Sequence, residues 1–374
     1  MRIVFFTLLK GRQWGGSENL WFKTAILALK DGHKILIIAE NTLDSKNLKQ
    51  LKELGAEIFF LENYLISYKE RLFQIFEKAF AEKKFLNVLN YKIHHFGPDL
   101  MLINQPGCYD LVFNKTITDF LALTKIKYMI SFHSYVNDNV LDKARTELMG
   151  KLLMHAITCF FVAKKQANTI LQQLKIDLKQ ISYIFNPLNL NNTTYLPYPK
   201  TNEIKFAMVS SLDMNWKGHD IILNILAKPE WTKREWSLAI FGTGPDLGKI
   251  SDLIVQLNLT THVKLNGHVK DIREIWSSYQ ILLMPSRVDA APAALLEAMA
   301  CGRTAICTNI GFVEDWIEDN ENGFISEENA YEAALNRAWL KRDKWENMGK
   351  LAAEKINKDF PNSPEKDFLQ QLIK

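Results

Sequence analysis

The sequence predicts an α/β protein of two consecutive domains, each a mainly parallel sheet covered by helices. Three observations predict it. The chain has 374 residues, too long for one ordinary hydrophobic core. Short unbroken apolar runs alternate with amphipathic stretches along nearly its whole length, as in sheets buried on both faces. The alternation is interrupted around Asn186–Pro199 by NPLNLNNTTYLPYP, whose Asn, Pro and Thr content marks a linker, and it restarts beyond.

In chain order, Ile3–Phe6 is a buried strand, followed by a glycine-containing loop and a helix over about Ser17–Leu29. Lys34–Ala39 and Glu57–Leu61 are the next strands, and Leu100–Asn104, Tyr128–Phe132 and Ile157–Val162 continue the series. Beyond the linker come strands Phe206–Val209, Ser237–Phe241, His262–Leu265, Ile281–Met284 and Ala305–Thr308. Helices begin near His219, Asp246, Asp271 and Pro292. The expected domains are 1–188 and 189–357, with the tail 358–374 folding back on the first as a closing helix. The segment Tyr68–Ile93 supports two readings. Phe73, Phe76 and Phe80 face the core of a helix pair, or they join Lys69, Arg71, Lys78, Lys83 and Lys84 in a surface that touches anionic lipid.

Hydrophobic residues make up 47% and charged residues 24%, which excludes disordered and fibrous classes. The net charge of +4 is too mild to argue for nucleic acid; it suits a phosphate-bearing ligand or an anionic surface, or simply a solvated lysine-rich exterior. Cys108, Cys159, Cys301 and Cys307 form no CxxC pair and no zinc spacing, so buried free thiols in a reducing cytosol are expected. The N-terminal apolar run is too short for a signal or a span, and no stretch reaches about 18 apolar residues without charge. The expectation is a cytoplasmic protein, soluble or peripheral on the inner face of a membrane.

Several strand ends carry chemistry. Gly15-Gly16-Ser17-Glu18 follows the first strand and opens a helix, where glycines admit a ligand to backbone amides and Ser17 is a good N-cap. The single glycine pair is not a dinucleotide fingerprint. Trp216-Lys217-Gly218 places a lysine within reach of a diphosphate, or merely at the surface beside a turn glycine. Phe241-Gly242-Thr243-Gly244-Pro245 and Asn266-Gly267-His268-Val269 are strand-to-loop turns that suit either a nearby nucleotide or plain turning. The most specific run is PSRVDAAPAALLEAMACG from Pro285 to Gly302. Asp289 lies in a loop, small residues Ala291, Pro292, Ala293 and Ala294 open a helix and expose amides to an anion, and Glu297 can accept from a ribose diol. Gly302 caps the helix end.

This arrangement resembles the retaining family-4 glycosyltransferases of GT-B fold, the glycosyl transferases group 1, whose signature pairs two acidic residues before an EAMACG-like helix end. The resemblance covers nearly the whole chain: the glycine pair, a histidine in the first half, Lys-Gly opening the second, the two glycine turns and the acidic pair. It implies two Rossmann-like domains facing across a cleft, the first for the acceptor and the second for the donor. It assigns His133, Asp289 and Lys217 to catalysis. Gly15, Gly16, Lys217, Gly242, Gly244, Val269, Arg287, Ala291, Pro292, Ala293, Ala294 and Glu297 would bind the donor. Glu297 would hold the ribose, Asp289 the sugar hydroxyls, Lys217 the diphosphate, and the backbone near Val269 the base.

Two departures stand out. Ser210-Ser211-Leu212 occupies the place of the family's usual arginine, so Arg287 is the expected substitute cation. Asp289 replaces the commoner Glu, with a reach shorter by about one methylene. The implied activity is metal-independent, retaining hexosyl transfer from a nucleoside diphosphate sugar to a glycan or lipid-linked acceptor in bacterial surface polysaccharide or lipopolysaccharide synthesis. The donor is a substrate and no cofactor is implied. A non-catalytic nucleotide-sugar-binding partner subunit and a nucleotide-sugar epimerase of the same fold are the alternatives.

Overall fold

The computed structural model describes residues 1–10, 14–61, 86–134, 140–190, 195–201 and 203–374. Its contacts divide the chain into one unit of Met1–Pro187 with Pro361–Lys374 and a second of Leu188–Phe360.

The first unit carries strands β1 (Arg2–Thr7), β2 (Lys34–Glu40), β3 (Glu57–Leu61), β4 (Leu100–Gln105), β5 (Tyr128–Phe132), β6 (Cys159–Phe161) and β7 (Ile181–Tyr183). They pair in the order β3-β2-β1-β4-β5-β6-β7, all parallel. Ile3, Val4, Phe5 and Phe6 of β1 and Leu100, Met101, Leu102 and Ile103 of β4 are buried, as a sheet covered on both faces demands. The helix Gly16–Lys30 packs on the C-terminal helix Pro364–Leu372. Thr24 Oγ1 donates to Glu365 O at 3.3 Å, and Phe368 meets Phe160 edge-on at 5.0 Å, so the tail adds to this unit's core.

The second unit carries β8 (Ile204–Val209), β9 (Trp236–Phe241), β10 (Val263–Gly267), β11 (Ile281–Met284), β12 (Thr304–Thr308) and β13 (Phe324–Ser326). Their order is β10-β9-β8-β11-β12-β13, again all parallel. Phe206 of β8 lies among Trp231, Trp236, Trp339 and Trp345, with ring centroids 6.2 to 6.4 Å away. In both sheets the chain runs outward from a central strand, crosses back, and continues to the other edge. The reversals fall between β1 and β4 and between β8 and β11, where ligands of open α/β sheets bind at the carboxyl ends.

Local differences from expectation have physical reasons. β6 is shorter than Ile157–Val162, although Ile157 N still donates to Tyr128 O at 2.9 Å. β7 and β13, three residues each at sheet edges, carry no long apolar run to announce them. The N-cap of the first helix is Gly15 rather than Ser17, whose hydroxyl donates to Glu18 Oε2 at 2.5 Å instead. The lysines, arginine and phenylalanines between Lys69 and Lys84 lie outside the described residues. Residues 86–96 are helical and bury Leu89, Ile93 and Phe96. All four cysteines are buried, and none is in a disulfide. Among the described residues no helix is long and apolar enough to cross a membrane.

Candidate functional site

At the reversal of the second sheet, the loops leaving β8 and β11 are bound together. Asp213 caps a short helix, Met214–Lys217, by accepting from Trp216 N at 3.3 Å. Gly218 follows at φ +68°, and a Cβ there would stand 2.0 Å from Pro285 O. Only glycine permits that approach. Trp216 O then accepts from Arg287 N and Val288 N at 2.8 and 3.2 Å. The result sets Lys217 Nζ 2.5 Å from Asp289 Oδ2, with side chains 16% and 24% exposed. This pair is sheltered but not sealed from solvent.

A cavity of about 490 Å³ opens at the carboxyl ends of this sheet, and Asn189, Ser210, Ser211, Gly242, Val269 and Glu297 are among its walls. Gly242 is fixed by packing: a Cβ there would lie 1.8 Å from Ser210 O, and one on Gly244 would lie 2.5 Å from Leu212 O. Both glycines therefore let the loop after β9 lie on the loop after β8, and Gly242 also lines the cavity. Glu297, in the helix Ala293–Ala300, is buried and accepts from Asn189 N at 3.0 Å. Burial pushes its carboxyl above the usual range, while the backbone and side chain of Asn189 oppose that shift. Pro292 is the N-cap of the helix. Ala291 N donates to Asp289 Oδ1 at 3.3 Å, and Ala293 and Ala294 form the half-buried first turn, where a helix leaves amides without intrahelical partners.

Arg287 sits in an ion-pair network. Its Nη1 and Nη2 donate to the two carboxylate oxygens of Asp220 at 2.9 and 2.8 Å, and its Nε donates to Glu328 Oε1 at 2.7 Å. The bidentate bond to Asp220 holds the guanidinium above its usual range, against a smaller opposing effect of burial. Burial would raise the Asp220 carboxyl, but the hydrogen bonds and charge of Arg287 outweigh it and hold it low. Two carboxylates engage this cation, and together they clamp the loop after β11.

In the first unit, the reversal holds a buried polar network. Glu18 Oε1 accepts from Thr7 Oγ1 of β1 and Asn104 Nδ2 of β4, both at 3.2 Å, and Ser131 Oγ of β5 donates to Asn104 Oδ1 at 3.0 Å. Burial raises the Glu18 carboxyl to about 7 against the hydrogen bonds of Ser17 and Thr7. Gly15 is extended at φ −143°, and a Cβ on Gly16 would meet none of the described residues within 4 Å. His133 follows β5, 9% exposed, with its N–H on Gln105 O at 3.2 Å. Burial lowers its pKa to about 4, with the Asn186 side chain opposing, and among the described residues Nδ1 meets no partner within hydrogen-bond geometry. The imidazole is neutral at pH 7.

The structure thus brings Lys217 to Asp289, and Gly242, Val269 and Glu297 to one cavity; Gly15, Gly16 and His133 belong to the other unit. Sequence reasoning missed Asn189, the buried Glu18, His219 behind Ser210, and Arg303. The last is fully buried and donates to carbonyls including those of Trp276, Leu196 and Pro197. The NPLN turn was the one signal for Asn189. Among the described residues, no three of His, Cys, Asp and Glu are grouped as metal ligands.

Comparison with known proteins follows the same outline. Residues 198–355 match the model of the family described as glycosyl transferases group 1. An uncharacterized glycosyltransferase of Haemophilus influenzae is 23% identical over 339 residues, spanning 89% of this chain and 88% of that protein. Anabaena HepE in complex with UDP matches with a TM-score of 0.73 at 15% identity, covering 100% of both chains. The lipopolysaccharide outer core galactosyltransferase WaaB, in its apo form, gives 0.71 at 18% identity over 100% of this chain and 99% of that one.

Proposed function

We propose that this chain, a member of the glycosyl transferases group 1 with two Rossmann-like domains of GT-B type, moves a hexosyl group from a nucleoside diphosphate sugar to a glycan or lipid-linked acceptor, with retention of configuration. The observation that carries the reading is the reversal of the second sheet. It gathers a sheltered lysine–aspartate pair, the first turn of a helix, and a cavity with a buried carboxyl. The second unit is then the donor domain and the first the acceptor domain.

The chemistry follows from charge. As the glycosidic bond to the diphosphate breaks, negative charge grows on the leaving group, and the site must stabilise it. Lys217 does so by exchanging Asp289 for a phosphate oxygen, and the helix-start amides at Ala293 and Ala294 add partial positive charge. These groups serve the leaving group without a metal. Asp289, released, accepts from hydroxyls of the transferred sugar, and Glu297 accepts from the ribose diol. In retaining transfer the acceptor attacks the face the diphosphate leaves. His133 is assigned to this step as a neutral imidazole, able to accept or donate one hydrogen bond. We place the reaction in surface polysaccharide or lipopolysaccharide synthesis, at the cytoplasmic face of a membrane. Sedimentation with phosphatidylglycerol vesicles tests that location, and a protein left in the supernatant at low salt would move the acceptor into solution.

Calorimetry with UDP, GDP and their sugars tests the donor site. Glu297→Ala should weaken binding about tenfold or more, the range of one hydrogen-bonded contact to a charged group. Lys217→Ala should weaken it similarly and flatten its salt dependence. Unchanged affinity in a folded Glu297→Ala protein would reject the assignment.

A further inference from the structure

We propose that Ser210 is a ligand-binding hydroxyl of the donor cavity, positioned by His219, and that it donates to the diphosphate of the donor. The inference rests on the reading of the second unit given above and answers a question that reading leaves. The second cation expected beside the diphosphate is absent at Ser211, and Arg287 is engaged by Asp220 and Glu328.

Ser210 stands at the carboxyl end of β8, half-buried, in the wall of the cavity. Directly behind it, His219 begins the helix His219–Leu226 and is fully buried. Its Nε2 lies 3.3 Å from Ser210 Oγ. Its Nδ1 is buried with no hydrogen-bond partner among the described residues. Charged groups around the ring are Asp220, Lys217, Asp213 and Asp246, of mixed sign, and burial outweighs them to lower its pKa to about 4.

A neutral imidazole has one N–H to place. On Nδ1 that proton would be a buried donor with nothing to meet, the arrangement folded proteins avoid most strictly. On Nε2 it meets Ser210 Oγ. The tautomer is therefore Nε2–H, and His219 donates while Ser210 accepts. The serine's own O–H is then left free for an acceptor in the cavity. A diphosphate oxygen at a sheet reversal is the acceptor class this position offers. The Gly242 backbone, which a side chain would drive into Ser210 O, locks the strand end that carries the hydroxyl.

Calorimetry of the full chain with UDP and GDP, and with uridine and guanosine, tests the assignment. Ser210→Ala should raise Kd for the diphosphate that binds by about tenfold, with the nucleoside changed less than about twofold, and Ser210→Thr should stay near wild type. His219→Met should weaken diphosphate binding toward the alanine variant. His219→Gln, which returns an N–H near the Nε2 position, should recover most of it. Ser210→Ala binding the diphosphate like wild type would overturn the role of the hydroxyl. Equal losses for nucleoside and diphosphate would overturn the diphosphate as its target. A glutamine variant as weak as the methionine one would remove His219 from the account, as would a methionine variant that binds like wild type. Should His219→Met fail to fold, His219→Gln set against wild type decides that point. Wild type that binds neither diphosphate would defeat the donor-domain reading itself. Wild type that binds and responds to Glu297→Ala but not to Ser210→Ala defeats this inference alone.

Discussion

Replacing Glu18 by Gln should make the first unit more stable at pH 8 than wild type, yet leave it nearly unchanged at pH 4.5. The carboxyl is fully buried among Thr7, Ser17 and Asn104, and its pKa stands at about 7 against an ordinary 4.5. A raised carboxyl pKa means that the native state binds its proton more tightly than the unfolded chain does. Its contribution is therefore complete below pH 4.5 and is lost as pH rises to 7, beyond which nothing further is lost. The interval corresponds to about 3 kcal/mol. Glutamine stays neutral throughout and keeps an oxygen for Thr7 Oγ1 and Asn104 Nδ2, so the variant escapes that loss. Hydrogen exchange of the helix Gly16–Lys30 reports this unit alone, and comparing variant with wild type cancels the titration of other groups. The gap should widen by about 1.4 kcal/mol per pH unit between pH 4.5 and 7. A gap that stays level from pH 4.5 to 8 would show that Glu18 is ionised inside the fold and that the network stabilises the charge.

His133→Leu removes a buried imidazole whose Nδ1 is unpaired among the described residues, so the fold should lose little at pH 7 while transfer falls by about two decades or more. Because the folded pKa of about 4 lies below the usual value, wild type loses stability as pH falls from 6.5 toward 4, and the leucine variant should lose less; full activity in the variant would return His133 to a packing role. Arg303→Lys leaves several buried carbonyls without donors and should destabilise the second unit by about 1–3 kcal/mol, read as a lower melting temperature; an unshifted melt would show that water replaces the guanidinium.

The α/β class was legible because a strand covered on both faces must be apolar throughout, as Ile281–Met284 and Ala305–Thr308 are. Edge strands obey no such rule, and Ile181–Tyr183, half-buried with a serine at its centre, gave no run to read. Side-chain partners were less legible still. Arg287 reads as a free cation until the fold brings Asp220, 67 positions earlier, to both arms of its guanidinium. Asn189 meets Glu297 across 108 positions. Glu18 in a first helical turn looks like an exposed acid favoured by the helix dipole, and only the pairing of β1 with β4 shows it enclosed. Arg303 after a capping glycine reads as surface, because nothing local announces that the linker carbonyls of Leu196 and Pro197 will lie over it.

The Lys217–Asp289 pair leads to a last expectation that runs against the usual effect of deleting a site residue. Asp289 pairs with Lys217, the cation proposed above to hold the diphosphate, so on that proposal any nucleotide must first displace it. A bare nucleoside diphosphate would then take Lys217 and offer Asp289 nothing in return. A nucleoside diphosphate sugar offers hydroxyls that the released carboxylate can accept. Asp289→Asn removes the competing charge while keeping an oxygen for Ala291 N. With the pair partly exposed, the attraction removed is about 1 kcal/mol at most. UDP or GDP alone should then bind up to about fivefold tighter than to wild type. The same variant should lose preference for the sugar-bearing nucleotide and transfer more slowly, since a neutral amide accepts hydroxyl protons less strongly than a carboxylate. Calorimetry with the diphosphate and its sugar, side by side, measures both effects. If the asparagine variant binds the bare diphosphate more weakly than wild type, Asp289 orients Lys217 for the phosphate and does not compete with it, and the exchange proposed for the leaving-group step is wrong.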